Sequence, residues 1–150
     1  IVIGGAAGAL PPVVGWAAVT GNTPLEAWIL FLVIFMWTPP HFWALSLHRN
    51  QDYVDAKVPM MPVVAGEKST KNQIVLYAVI TVVTTLVPVY IGMSSIVYGY
   101  GAGILGAVFI LLSVLVRFSE STKTAMRLFG YSIIYLFFIF LGLMIDRIVG

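Results

Sequence analysis

The stretch Leu47-His48-Arg49-Asn50-Gln51-Asp52-Tyr53-Val54-Asp55-Ala56-Lys57 gathers the densest set of groups able to do chemistry. Asp52 and Asp55 stand three residues apart, a spacing that puts both carboxylates on one face of a helical turn. Arg49 lies one turn earlier and Lys57 two residues later. Paired carboxylates suit Mg²⁺, which takes oxygen ligands and commonly bridges to substrate phosphates. Guanidinium and ammonium groups suit the phosphate oxygens that remain. The set could therefore hold a metal-bound diphosphate at a membrane surface. The same residues also describe an ordinary charged, solvated loop, and Asp-x-x-Asp alone does not separate the two.

A second candidate is His41, in Thr38-Pro39-Pro40-His41-Phe42-Trp43, within a run free of charged residues. An ionisable side chain inside a membrane segment is a functional hypothesis by default. The proline pair removes two backbone donors and so kinks the helix and frees carbonyls upstream. His41 is then either a contact for a haem or a proton path, or a neutral ring bonded to a freed carbonyl. His48, seven residues on, shares its face about 10 Å away along the axis and reads as interfacial. Trp37, Trp43, Tyr53 and Tyr77 fall near one membrane face, and Trp16, Trp28, Tyr90, Tyr98 and Tyr100 nearer the other. These read mainly as belt residues. Trp37, Phe42 and Trp43 could also shield a developing cation with their ring faces.

The elements that position these groups follow from composition. Hydrophobic residues make up 60% of the 150 and charged residues only 9%. Soluble domains carry about 25% charged residues. Segments 1–25, 27–48, 72–116 and 128–145 contain no charge at all. This is an all-α, polytopic transmembrane helix bundle forming a single membrane domain over 1–150. A span needs about 20 apolar residues, which gives five, at about 1–20, 24–48, 72–92, 98–116 and 127–146. The long run 72–116 is divided at Gly92-Met93-Ser94-Ser95. Thr23, Pro24 and Glu26 predict a capping box opening the second span. Gly4 and Gly8, and Gly99 and Gly103, have the spacing that lets helix backbones approach closely in lipid. The apolar, proline-interrupted segment 58–66 is too short to span and either covers a cavity mouth or packs on helix ends.

Arg49, Lys57, Lys68 and Lys71 lie in the loop 49–71, and Arg117, Lys123 and Arg127 in or beside 117–126. The excess of basic residues puts the 49–71 and 117–127 loops on the cytoplasmic side, or the matrix side in an organelle. The membrane is then a bacterial inner or mitochondrial inner membrane. No cysteine is present, which excludes disulfides and thiolate chemistry. A net charge of +2 with this distribution implies lipid rather than nucleic acid. The chain opens on Ile inside an apolar segment, which reads as part of a longer protein.

Gly4-Gly5-Ala6-Ala7-Gly8-Ala9-Leu10-Pro11-Pro12, Gly15-Trp16, Thr38-Pro39-Pro40-His41-Phe42-Trp43-Ala44-Leu45, Asp52-Tyr53 and Val58-Pro59-Met60-Met61-Pro62-Val63-Val64 together resemble the protohaem IX farnesyltransferase family, a branch of the UbiA-type intramembrane prenyltransferases. The resemblance runs in order over about residues 1–70 and continues beyond in hydropathy and span number. It implies a bundle of nine spans, of which this chain supplies the last five. It also implies farnesyl transfer from farnesyl diphosphate to a vinyl group of haem B, giving haem O. Mg²⁺ held between two acidic motifs would assist departure of diphosphate. By position, Asp52 matches the acidic residue of the second motif, and Tyr53 the aromatic that follows it. Arg49 matches a basic position before that motif, and His41 the histidine of the Pro-Pro-His-Phe signature, the implied haem contact. The resemblance thus carries over Asp52 as the metal ligand, while Asp55 as a second ligand and Lys57 as a diphosphate contact rest on their own chemistry. Second motifs of this type are commonly Asp-x-x-x-Asp, whereas here the spacing is one shorter. Asn50 and Gln51 stand where members often carry a Lys and an acidic residue. The first acidic motif is absent from these residues, so activity is expected to require an N-terminal half.

Two other readings compete. A proton-coupled transporter would use His41, the broken helices and the loop carboxylates along a pathway open to both faces. A non-catalytic haem-binding membrane subunit would keep His41 and make Asp52 dispensable.

Overall fold

The computed structural model describes the backbone of residues 2–149 and the side chains of residues 4–149. Residues 1 and 150, at the ends of the expected domain, lie outside the described residues. The described chain is helical throughout, in the order α1 (Val2–Ala9), α2 (Pro11–Thr20), α3 (Leu25–His48), α4 (Asn50–Asp55), α5 (Met61–Ala65), α6 (Glu67–Tyr90), α7 (Ile96–Phe118) and α8 (Thr122–Val149). Four of these, α3, α6, α7 and α8, are long and apolar enough to cross a membrane. At 1.5 Å per residue, the 24 residues of α3 reach about 36 Å.

The first expected span is in two pieces. Pro11 and Pro12 open α2 and have no N–H to donate back into α1, so the helix breaks at Leu10. Both pieces pack along α3. The division of the long apolar run falls where it was expected. Gly92 takes φ +74, a left-handed conformation that closes α6, and Ser95 caps α7 by accepting from Tyr98 N. The expected capping box on α3 does not form. Pro24 itself is the N-cap, with extended ψ 171, and its side chain has no acceptor to offer.

Helices α3, α6, α7 and α8 close a ring, each packed on the next and α8 back on α3. Their shared interior holds Val33, Ile74, Phe109, Leu128, Tyr135 and Ile139, all buried. Large apolar side chains also cover the outside, as at Val83 (59% exposed), Ile104 (68%) and Phe137 (61%). An apolar exterior around a packed interior is what a bilayer solvent requires.

Of the four glycines expected at close approaches only Gly99 makes one, where a built Cβ would lie 3.2 Å from Val89 Cγ2, and the other tight sites use different small residues. Gly4 and Gly8 are open, with nothing within 4 Å of a built Cβ, while Gly5 meets Thr38 at 3.0 Å and Ala9 is buried. On α7 the tightest site is Gly106, where a Cβ would lie 2.6 Å from Val82 Cγ1; Gly103 is open. The helices are rotated about their axes relative to the glycine spacing, because packed and lipid-facing sides are both apolar. The aromatic belt is corrected for the same reason. Trp43 and Tyr98 are buried inside the bundle, whereas Tyr90 and Tyr100 are exposed at the opposite end from α4.

The proline pair lies inside α3 without ending it. Pro40 cannot donate to Met36 O, and Thr81 on α6 supplies the bond instead, at 2.8 Å. The freed carbonyl is thus taken by a neighbouring helix and not by His41.

Candidate functional site

Two groups of residues carry the candidate chemistry, and the fold keeps them apart. The first is the short helix α4, directly after α3. Arg49 donates from Nη1 to Asp52 Oδ2 at 3.0 Å, an exposed ion pair one turn long. Gln51 Nε2 donates to Asp55 Oδ1 at 2.8 Å. Both carboxylates are exposed and each keeps an oxygen outside these bonds. Tyr53 is half-buried, and its backbone O accepts from Val58 N at 3.0 Å, which folds the following segment back on α4. Lys57 ends the turn at φ 53 with its side chain exposed, and pairs with no carboxylate among the described residues.

These residues offer part of a metal site. Mg²⁺ is commonly bound through one or two carboxylates, several waters and substrate phosphates. Two exposed carboxylates on one short helix fit that share of a shell. Among the described residues no group of three or more His, Asp or Glu converges. Asn50 adds an observation sequence reasoning missed. Its Oδ1 is buried and has no hydrogen-bond partner. Position between a basic and an acidic motif residue was the only signal that could have singled it out.

The segment after α4 packs on helix ends. Met61 sits against the bundle core and Pro62 is buried, with α5 touching α3 and α6, while Val63 and Val64 stay exposed.

His41 forms the second group, at the seam of α3 and α8. The ring is buried, and its Nδ1 lies 2.7 Å from Ser132 Oγ. Trp37 stacks on the imidazole at a centroid distance of 4.2 Å and Phe129 at 4.5 Å, with planes 21° and 22° apart. Trp37 Nε1 also donates to Ser132 O at 2.8 Å. Residues i and i+4 of α3 therefore grip both the hydroxyl and the carbonyl of one serine. Ser132 and Phe129 were not found from the sequence. A serine in an apolar span is a known adhesive between helices, but nothing in its own neighbourhood names its partner.

Farther from α4, the bundle interior is sealed by paired hydroxyls. Tyr98 donates to Thr85 O at 2.9 Å, Thr85 and Tyr135 share a bond of 2.9 Å, and Tyr131 donates to Leu105 O at 2.8 Å. The two ends of the bundle are tied separately. Lys71 Nζ at the start of α6 donates to Ser119 O after α7, at 2.8 Å. Asp146 on α8 accepts from Ser94 Oγ at 2.6 Å, from Ser95 N at 2.7 Å and from Ser95 Oγ.

An apolar helical bundle with four helices able to cross a membrane, an acidic helix at one end and a buried histidine inside defines an integral membrane protein. The profile of the UbiA prenyltransferase family matches residues 1–142, and the chain belongs to that family. Among curated relatives, the protoheme IX farnesyltransferase of Parvibaculum lavamentivorans is 52% identical over 154 residues, covering 100% of this chain and 48% of the relative. That of Rickettsia bellii is 54% identical over 149 residues, covering 99% and 50%. That of Alcanivorax borkumensis is 50% identical over 147 residues, covering 98% and 48%. The chain spans about half the length of the curated relatives it matches. No solved structure matches it.

Proposed function

We propose that this chain is the C-terminal part of an enzyme that transfers a farnesyl group from farnesyl diphosphate to a vinyl group of haem B, giving haem O. The observation that carries the reading is identity of 50–54%, over nearly the whole chain, to proteins named protoheme IX farnesyltransferase. In this reaction the bond from farnesyl C1 to the diphosphate oxygen breaks, and diphosphate leaves with the electron pair. The vinyl π electrons form the new carbon–carbon bond. Water then captures the cation left beside the porphyrin and loses a proton, which yields the hydroxyethylfarnesyl side chain.

The residues divide the work by position. Arg49 and Lys57 bind diphosphate oxygens; Arg49 uses only part of its five-donor fork on Asp52, which leaves donors free. Asp52, with Asp55 beside it, would hold Mg²⁺, which when bound stabilises the charge of departing diphosphate. Tyr53, half-buried beside Asp52, lines the mouth of the site. His41 contacts haem B within the bundle. The first acidic motif comes from the N-terminal half of the same protein, which completes the metal site.

Topology follows the same reading. α1 and α2 together make a fifth crossing, and the 49–71 and 117–127 loops face the cytoplasm or matrix. Lys71 bonding at Ser119 and Asp146 bonding at Ser94 and Ser95 are consistent with this arrangement, since each pairs elements assigned to one side. The membrane is a bacterial or mitochondrial inner membrane.

The test is haem extraction with mass analysis from cells lacking their own haem O synthase, expressing this chain with the N-terminal half of a relative. Haem O with Asp52 intact and its loss with Asp52→Asn at equal membrane abundance is the expected result. Equal haem O from both would remove Asp52 from the reaction.

A further inference from the structure

The His41–Ser132 contact contains information about a proton. A serine hydroxyl has one hydrogen to give and lone pairs to accept with. Ser132 Oγ donates to Phe129 O at 2.6 Å, the usual back-bond of a helical serine. With that hydrogen on Phe129 O, the 2.7 Å contact makes Oγ an acceptor, and the hydrogen of the bond then comes from His41 Nδ1. In that arrangement a neutral His41 ring is protonated on Nδ1 and carries its lone pair on Nε2.

The surroundings hold that state in one orientation. Trp37 and Phe129 both stack on the ring, which opposes its turning over to exchange Nδ1 for a carbon. Trp37 in turn fixes the Ser132 backbone through Nε1. Nε2 has no hydrogen-bond partner among the described residues, and the residue as a whole keeps 7% of its surface exposed. A neutral imidazole that donates through one nitrogen and keeps the other bare is the form in which histidine binds a metal, and the donated bond selects the nitrogen.

We infer that Ser132 is a positioning residue that fixes His41 as the Nδ1–H tautomer and thereby presents Nε2 to the iron of the haem substrate. The inference rests on the haem-farnesylating reading above for the identity of the metal, but not for the tautomer. Ser132 touches no reacting atom and acts only through His41.

The chain has two histidines, so His48→Gln leaves His41 as the single imidazole signal. ¹⁵N-histidine solid-state NMR is recorded on the labelled chain paired, in lipid bilayers, with an unlabelled N-terminal half of a relative. The expected result is a protonated Nδ1 and a bare Nε2, preserved in Ser132→Thr and lost or mixed in Ser132→Ala. Added haem B should then move the Nε2 signal, with affinity lowered about 10-fold or more in Ser132→Ala and restored in Ser132→Thr, as for other groups that orient a metal ligand. A purely structural Ser132 would leave the Ser132→Ala tautomer unchanged. That result, or an Nε2–H ring in the unaltered serine form, overturns the inference. A Nδ1–H ring whose Nε2 ignores haem B would instead overturn the haem contact while the tautomer assignment stands.

Discussion

Thr81 Oγ lies 2.8 Å from Met36 O, the carbonyl that Pro40 leaves without its helical donor. The same hydroxyl also reaches Tyr77 O at 2.7 Å on its own helix, so one hydrogen is shared between an inherited back-bond and a repair of the neighbouring helix. A proline inside a span is thus made tolerable by a threonine that lies 45 residues beyond the carbonyl it satisfies.

Replacing Thr81 with Val removes this donor at constant shape and should lower stability by about 1 kcal/mol, the scale of single interhelical bonds in membranes. Thr81→Ser should recover most of the loss. In a Pro40→Ala background Met36 O regains its own N–H, so Thr81→Val should then cost much less. Reversible unfolding in mixed micelles would read the cycle. Equal costs in both backgrounds would disprove the compensation.

Gly106 should be far less tolerant than the open glycines. A methyl group there would stand 2.6 Å from Val82 Cγ1, so Gly106→Ala should destabilise by about 1–3 kcal/mol through overpacking. Val82→Ala should relieve part of this. Gly103→Ala, with nothing within 4 Å, should be neutral or slightly favourable in the same unfolding measurement.

Asp52→Asn should separate chemistry from folding. Its partner Arg49 is exposed, and such pairs contribute roughly 0–1 kcal/mol, so thermal stability should hardly change. On the proposed reading, haem O formation by the chain paired with the N-terminal half of a relative should nevertheless fall by about 100-fold or more, the scale on which stabilisation of departing charge is lost. Initial rates and melting curves on the same membrane preparation would compare the two.

Asp146→Asn should loosen the turn between α6 and α7. Two serine hydroxyls and the Ser95 amide converge on this one carboxylate. Faster hydrogen exchange at Ser95 and through the first turn of α7, with the α4 end unaffected, is the expected pattern.

The sequence made the helices plain, because stretches without charge have few other fates. The predicted 98–116 became Ile96–Phe118, and 24–48 became Leu25–His48. Rotation of each helix about its axis was not legible. In lipid the outside of a helix is as apolar as the inside, so Gly4 and Gly8 looked no different from the Gly5 and Ala9 that pack. Trp43 looked like a belt residue for the same reason. The Arg49–Asp52 pair was legible because its partners are one turn apart. His41 was found by type, but its setting was not, since Ser132 lies 91 residues on and only the closing of α8 against α3 brings it near.

That closure sets an order of events during synthesis. At about 5–20 residues per second, a ribosome that has just added His41 needs roughly 5–20 s more to reach Ser132. Throughout that interval the imidazole sits in the nascent protein with neither its serine nor Phe129. Of the described helices, α8 is the last to be made and the one that brings Ser132 to the histidine, so a chain abandoned before α8 would carry the motif without that partner.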